Sequence, residues 1–78
     1  MSVSEKILLN SQDCSNKLKL LGKYIVDNLF EAAMTNAPTI ARSAGVSKAT
    51  VTRFVHMLGF NSFADFQHAL RVEALGDK

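Results

Sequence analysis

The sequence contains few of the residues on which disulfide-bonded, metal-binding or membrane-spanning proteins are built. Its 78 residues include one cysteine, two histidines, one proline and no tryptophan. Cys14 has no second cysteine to pair with, and one cysteine with two histidines excludes a standard structural zinc site. No stretch approaches the roughly 20 apolar residues that cross a bilayer, and the amino terminus lacks the apolar region of a signal peptide. We therefore expect a cytoplasmic protein without membrane association.

Recognisable catalytic motifs are also missing. The chain has no glycine-rich phosphate loop, no carboxylate pair and no nucleophile beside a base, so we expect neither enzyme activity nor a cofactor. With 47% hydrophobic and 21% charged residues, the composition is that of a folded domain rather than a disordered segment. A length of 78 residues leaves room for one domain.

The hydrophobic periodicity predicts an all-α fold, a compact bundle of about five helices without a sheet. Gly22 within the second helix predicts close approach of a neighbouring helix. That helix carries a stripe of apolar residues at helical spacing, Leu18, Leu21, Ile25 and Leu29. The least periodic part, residues 30–36, is predicted to be a loop or a frayed turn. The predicted helices cover about residues 3–11, 15–28, 38–44, 47–58 and the segment from 62 onward.

Capping residues mark the boundaries of these helices. Ser15, Ser47 and Ser62 stand where an N-cap side chain accepts a hydrogen bond from a free backbone N–H group. Gly45 and Gly59 stand just past predicted helix ends, where a positive φ is common. The connections between helices are therefore predicted to be short.

Residues 37–58 meet the steric requirements of a homeodomain-like helix-turn-helix. Two short helical patterns are joined by a few residues that contain Gly45, which permits a sharp reversal. Ala41 is small and lies one turn before the break, where the two helices must cross closely. The apolar positions predicted to fix the pair on the core are Ile40, Ala44, Val46, Val51 and Phe54.

The side of the second of these helices that faces away from the core is predicted to bind DNA. Recognition helices contact base edges chiefly with their N-terminal residues. Lys48 and Arg53 suit phosphate or guanine. Ser47 and Thr52 can donate or accept hydrogen bonds, and Ala49 allows close approach or contact with a thymine methyl group. The predicted DNA-binding residues are Arg42, Ser47, Lys48, Ala49, Thr50, Thr52, Arg53 and His56.

The distribution of charge favours this interpretation more than the net charge of +2 does. Residues 32–64 include no acid, and all seven acidic residues lie outside this window. Arg42, Lys48 and Arg53 lie within it. An acid at position 50 would stabilise the helix dipole but would repel phosphate, and the sequence has Thr50 there. A polyanion is therefore expected to meet a locally positive surface.

Each of these observations also has an ordinary structural explanation. Lys48 could be a solvated surface charge, as could Arg53, and His56 fits a partly packed surface residue better than a ligand or base. The alternative function is a helical protein–protein interaction or dimerisation module without direct DNA contact. Such a module would have an exposed apolar patch on its surface. The candidate residues for this patch are Val3, Leu20, Tyr24 and Met57.

The middle and the end of the chain carry a specific resemblance to a known family. The run VSKATVTRF, continued by LGF and by FADF, resembles the amino-terminal domain of the RpiR family of bacterial transcriptional regulators. The resemblance also covers the preceding part of the chain, including Ser15, Lys19 and Tyr24. It weakens only near the amino terminus. Two departures are Leu18, where the family often has an acid, and Gly22, where alanine is common.

The resemblance implies more than the residues themselves show. Members of the family usually bind palindromic operators in double-stranded DNA as homodimers or higher homo-oligomers. They repress or activate genes of sugar and amino-sugar catabolism. A carboxy-terminal sugar-isomerase-type (SIS) domain usually senses a phosphorylated sugar, and it is absent from these 78 residues. We therefore expect the chain to be the amino-terminal DNA-binding part of a longer regulator, which binds its effector only through the missing domain.

Overall fold

Helices make up all the regular secondary structure of residues 2–10 and 15–76, the part of the chain that the structure, a computed structural model, describes. The all-α prediction is confirmed, because these residues form six helices and no strand. None of the six is long and apolar enough to cross a membrane. Residue 11, the predicted end of the first helix, and Cys14 lie outside the described residues. The helices are α1 (Val3–Asn10), α2 (Asn16–Asp27), α3 (Leu29–Ala33), α4 (Ala37–Ala44), α5 (Lys48–Met57) and α6 (Phe63–Leu75).

The side chain of a serine or an asparagine caps the N-terminus of four of these helices. The predicted caps at Ser15, Ser47 and Ser62 are confirmed, and Asn36 caps α4 in the same way. Each side-chain oxygen accepts a hydrogen bond from one of the backbone N–H groups that a helix start leaves without a partner. The donors are the N–H groups of Leu18 (3.4 Å), Thr39 (2.9 Å), Thr50 (3.1 Å) and Asp65 (3.2 Å).

Glycines with a positive φ follow α4 and α5, as predicted. Gly45 has a φ of 77° and Gly59 a φ of 94°, a region in which a side chain is strained. After α4, the N–H of Gly45 donates to the carbonyl of Arg42 (3.3 Å), and the N–H of Val46 donates to the carbonyl of Ala41 (2.9 Å). The same pair of bonds follows α5. Both turns therefore reverse the chain within a few residues.

A short helix, α3, occupies part of the segment for which the sequence predicts a loop. The loop prediction is wrong at residues 30–33, which belong to α3 (Leu29–Ala33). Ala32 and Ala33 are fully buried, and α3 packs chiefly against α6. Because α2 ends before Asn28, which has a φ of −132°, Leu29 belongs to α3 and is half-buried instead of completing the α2 stripe. The described chain therefore has six helices rather than about five.

Side chains of α6 explain why so short a helix forms. Gln67 Nε2 donates to the carbonyls of Ala32 (3.5 Å) and Thr35, and Arg71 Nε donates to the carbonyl of Ala33 (3.0 Å). The carbonyls of Ala32 and Ala33 belong to the end of α3, where a helix supplies no partners of its own, and that of Thr35 lies two residues past this end. A helix of five residues is unstable by itself. Contacts 32 to 38 residues away in sequence therefore stabilise α3, and local periodicity cannot reveal them.

The core lies around α2, which packs against α1, α3, α4 and α5, while α6 packs against α1, α3 and α5. Phe54 of α5 meets Phe66 of α6 edge to face, with ring centroids 6.2 Å apart and an interplanar angle of 89°. Phe66 and Leu70 are buried and Phe63 is half-buried. Ala44, predicted to fix the helix pair on the core, is half-buried and packs against the core. The buried apolar residues are Val3, Ile7, Leu18, Leu21, Ile25, Ala32, Ala33, Ile40, Ala41, Val51, Phe54, Val55, Leu58, Phe66 and Leu70.

Gly22 lies where α1 and α5 approach α2. A Cβ atom at this position would lie 2.9 Å from Cγ2 of Ile7 and 3.6 Å from the ring of Phe54. Carbon atoms in favourable contact stay about 3.5–4.0 Å apart, so the space beside Ile7 is too small for a side chain. The predicted close approach at Gly22 is confirmed.

The carboxylate of Glu73, near the end of α6, caps the start of α1. Its Oε1 accepts hydrogen bonds from the N–H groups of Val3 (2.6 Å) and Ser4 (3.3 Å), and its Oε2 accepts one from the Ser4 hydroxyl. A negative group at this place satisfies free N–H groups and interacts favourably with the helix dipole. Glu73 therefore ties the first helix to the last one.

We expect Gly22→Ala to destabilise the fold by about 1–3 kcal/mol, the usual cost of overpacking a core. In an exposed helix the same change stabilises by about 1 kcal/mol, so the sign of the effect reports the close contact. The measurement is urea-induced unfolding followed by circular dichroism. In an Ile7→Ala background the cost should disappear, because the nearest atom has been removed. The same cost in both backgrounds would contradict contact with Ile7 as the cause.

Glu73→Ala should lower the free energy of unfolding by about 1–2 kcal/mol, a typical value for the loss of a helix cap. The reason is that the N–H groups at the start of α1 lose their acceptor. Glu31→Ala is the matched control, because Glu31 is exposed and its side chain has no hydrogen bond within the described residues. We expect the control to change stability by less than about 0.5 kcal/mol. Equal losses in the two variants would exclude a specific capping role for Glu73.

Candidate nucleic-acid interface

Two helices, α4 and α5, occupy the range predicted for the helix-turn-helix, and residues 45–47 join them. Ile40 of α4 is fully buried and Ala41 is 5% exposed, as a closely packed helix pair requires. Val46 in the turn is half-buried and packs against the core. The short turn and these apolar contacts fix the position of α5 relative to α4.

One apolar side holds α5 in the bundle, so its other side faces solvent. Val51, Phe54 and Val55 are each 1% exposed, and Leu58, which follows the helix, is 5% exposed. At 3.6 residues per turn, residues three and four apart share a side of a helix. The exposed residues on the side opposite the core are Ala49, Thr52, Arg53 and His56.

Seven of the eight residues predicted to contact DNA are exposed, and Thr50 is half-buried. The structure brings seven of the eight together on α5 and the residue before it. Arg42 is the exception, since it lies in the last turn of α4. The exposed residues of the predicted set are Arg42, Ser47, Lys48, Ala49, Thr52, Arg53 and His56.

The hydroxyl groups near the start of α5 make hydrogen bonds within the protein. Ser47 Oγ accepts from the N–H of Thr50 (3.1 Å) and lies 2.9 Å from Thr50 Oγ1, so the two hydroxyls share one hydrogen bond. The pair therefore retains one hydroxyl hydrogen for an external acceptor. Thr52 Oγ1 donates to the carbonyl of Lys48 (3.3 Å), one turn earlier.

The basic side chains of α4 and α5 have no acidic partner within the part of the chain that the structure describes. Within residues 2–10 and 15–76, the side chains of Arg42, Lys48 and Arg53 take part in no hydrogen bond and no ion pair. Neither α4 nor α5 contains an acidic residue. The surface formed by these two helices is therefore locally positive and attracts a polyanion. The acidic residues that the structure describes lie on other helices, and they are Glu5, Asp27, Glu31, Asp65 and Glu73.

The apolar patch predicted for the alternative function is only partly present. The prediction is wrong for Val3, which is buried at 5% exposure because α1 packs its apolar side on α2 and α6. Tyr24 and Met57 are half-buried, and Leu20 is 53% exposed. None of the exposed large apolar side chains lies on α4 or α5.

Other exposed apolar residues were not anticipated from the sequence. The sequence does contain a signal for the exposure of Leu8 and Leu9. These two residues directly follow Ile7, and three successive helical residues cannot all face one core. The remaining ones depend on how α3 and α6 pack. We define the apolar surface of the domain as its exposed large apolar residues, Leu8, Leu9, Leu20, Phe30, Met34, Val72 and Leu75.

Comparison with known proteins also indicates a helix-turn-helix domain. The sequence profile of the helix-turn-helix domain of the rpiR family matches residues 1–75. An uncharacterized HTH-type transcriptional regulator of Clostridium perfringens (strain 13 / Type A) is 40% identical over 60 residues, which make up 77% of this chain and 22% of the relative. The chain thus spans about a fifth of the length of that relative. No solved structure gives a significant match. Because the profile matches nearly the whole chain, the chain belongs to the rpiR family of helix-turn-helix domains, the DNA-binding domains of transcriptional regulators.

Proposed function

We propose that this domain binds specific DNA sequences by placing α5 in the major groove. The observation that carries the proposal is the exposed, acid-free side of α5, opposite the side that Val51, Phe54 and Val55 bury in the core. The major groove is about 12 Å wide and admits an α-helix. A helix held by its apolar side alone can enter the groove without any change in the core.

The start of α5 suits phosphate contacts. Lys48 is exposed and has no partner for its side chain within the described chain. The hydroxyl pair of Ser47 and Thr50 keeps one hydrogen for an external acceptor, and the positive end of the helix dipole favours an anion at the same place. Arg42, in the last turn of α4, is proposed to contact the flanking backbone. These contacts fix position along the duplex rather than sequence.

The middle of α5 suits base contacts. Arg53 is exposed on the outward side and its guanidinium has no partner within the described residues. Its planar fork matches the O6 and N7 acceptors of guanine. His56 lies one turn further along the same side, at the rim of the proposed contact. Arg53 is therefore the residue of the set best suited to select a base.

Two copies of the domain are proposed to bind a palindromic operator. The domain measures 32 × 24 × 23 Å, whereas half-sites that are read from one side of the duplex lie about 34 Å apart. One copy therefore covers one half-site. The apolar surface lies on helices other than α4 and α5, so a second copy or another part of a longer protein could pack there while α5 contacts DNA.

Family membership supports a proposal about the wider biological role. We propose a cytoplasmic bacterial regulator of sugar or amino-sugar catabolism that responds to a phosphorylated sugar. A separate carboxy-terminal SIS domain would bind that sugar, and the 22% of the Clostridium relative that is matched leaves ample length for one. Within the described residues, no group of three or more His, Cys, Asp or Glu side chains is placed to hold a metal ion.

The alternative, an interaction module that never contacts DNA, is supported by the apolar surface. Retention of the domain on immobilised DNA at low salt, lost steeply as the salt concentration rises, distinguishes the two functions. An interaction module would show no such retention. Selection of bound duplexes from a random DNA pool then gives the preferred sequence and its symmetry.

We expect Lys48→Ala to weaken binding to all duplexes and to reduce the slope of log K against log salt by about 0.9, the value for one phosphate contact. The measurement is fluorescence anisotropy of a labelled duplex in a series of salt concentrations. Lys48→Arg keeps the charge and should keep the slope. An unchanged slope in Lys48→Ala would show that Lys48 neutralises no phosphate.

Arg53→Ala should relax discrimination at one base pair of the selected sequence by about 1–3 kcal/mol, the usual contribution of a bidentate contact with guanine. A panel of duplexes with single-base changes measures this effect. Arg53→Lys retains a positive charge but loses the fork, so it should retain part of the affinity and little of the discrimination. A uniform loss across the whole panel would assign Arg53 to the DNA backbone.

A further inference from the structure

The hydroxyl group of Thr52 is directed toward its own helix. Oγ1 donates a hydrogen bond to the carbonyl of Lys48, one turn earlier, at 3.3 Å. The residue itself is exposed. While this bond is made, the only hydrogen of the hydroxyl is used, and Thr52 offers an external partner its methyl group and the remaining lone pair of its oxygen.

Ala49 lies at the middle of the outward side of α5. The buried positions Val51, Phe54 and Val55 define the inward direction, and the opposite direction at 100° per residue passes through residue 49. Ala49 is exposed in the first turn. Its Cβ is the whole side chain, so nothing keeps the helix away from the groove floor at this point.

The two residues are exposed neighbours on one side of α5, and we call them the methyl patch of Ala49 and Thr52. They are three residues apart in a helix, which brings their Cβ atoms to about 5–6 Å from each other. The one hydroxyl hydrogen that the Ser47–Thr50 pair retains lies at the very start of the helix, where we propose a phosphate contact, and not between Ala49 and Thr52. The part of α5 that reads base edges therefore presents methyl groups flanked by basic side chains.

We propose that the methyl patch selects thymine, an inference that rests on the proposed function of α5 as a recognition helix. Thymine carries the only methyl group that an unmodified base pair shows in the major groove. The adenine paired with it offers an N6 amino donor, which the free lone pair of Thr52 can accept. A G·C pair presents no methyl group. The half-site is therefore expected to carry one or two A·T pairs opposite Ala49 and Thr52, beside the G·C pair proposed for Arg53.

The test removes the methyl group from the DNA while the protein stays unchanged. In the duplex obtained by selection, each thymine is replaced in turn by deoxyuridine, which differs only in lacking the C5 methyl group. At one or two positions of each half-site, the dissociation constant should rise about fourfold, the ratio expected for one buried methyl group. Replacement elsewhere in the duplex should have little effect.

Matched variants then assign the contact to a residue. Thr52→Ser removes the methyl group and keeps the hydroxyl, whereas Thr52→Val keeps a methyl group and removes the hydroxyl. The ratio of the uracil to the thymine dissociation constant should fall to about one at one position in Thr52→Ser, and should persist in Thr52→Val. Ala49→Gly should abolish the ratio at the neighbouring position. Circular dichroism of each variant checks that the domain is folded.

The outcomes separate this inference from the function on which it rests. Absence of binding to any duplex by the folded domain contradicts the proposed DNA-binding function itself. Tight binding to the selected duplex with no thymine–uracil difference at any position overturns the methyl patch and leaves that function intact. A difference that survives in both Thr52→Ser and Ala49→Gly also overturns it, because the methyl contact would then belong to another residue.

Discussion

The burial of Phe54 orients the outward side of α5. Its ring is 1% exposed, meets Phe66 of α6 edge to face, and lies against the bare backbone of Gly22 on α2. Three helices thus meet at one aromatic ring. Because residues of a helix have fixed angular relations, the direction of Phe54 decides that Ala49 and Arg53 point into solvent. A rotation of α5 that exposed Phe54 would carry the polar side into the bundle, so the core and the interface are specified by one packing contact.

The features that could be predicted from the sequence are those that neighbouring residues decide. The caps at Ser47 and Ser62 and the glycine turn at Gly45 involve residues within three or four positions of each other, so residue type and spacing reveal them. The same holds for the buried and exposed sides of α5. The short helix α3 and the cap that Glu73 gives to α1 depend on contacts across 32 to 70 residues. No local pattern contains that information, so these features were missed.

The candidate interface shows the same division. Exposure of Lys48 and Arg53 follows from helical periodicity, and the structure agrees with it. Helical periodicity does not show which hydrogen-bond donors of the candidate interface are available to an external partner. Sequence alone assigns a hydroxyl donor to Thr52, whereas the structure uses that donor within the helix. This difference changes the base that the side chain suits, from any pair with an acceptor to a pair that carries a methyl group. The proposed preference for thymine therefore depends on a hydrogen bond within α5 as well as on residue identity.

Two serine caps in this chain show how helix stability and DNA binding can conflict. At the start of α6, Ser62 is followed three residues later by Asp65. The Ser62 hydroxyl accepts a hydrogen bond from the N–H of Asp65, and the negative charge of Asp65 interacts favourably with the helix dipole. At the start of α5, the equivalent position is Thr50, whose hydroxyl bonds to Ser47 without adding charge. An acid there would stabilise the helix by about 0.3–1 kcal/mol. It would also lie beside Lys48 and repel the phosphates that the start of α5 is proposed to contact. A neutral cap at α5 and an acidic one at α6 fit the proposal that α5, and not α6, approaches DNA.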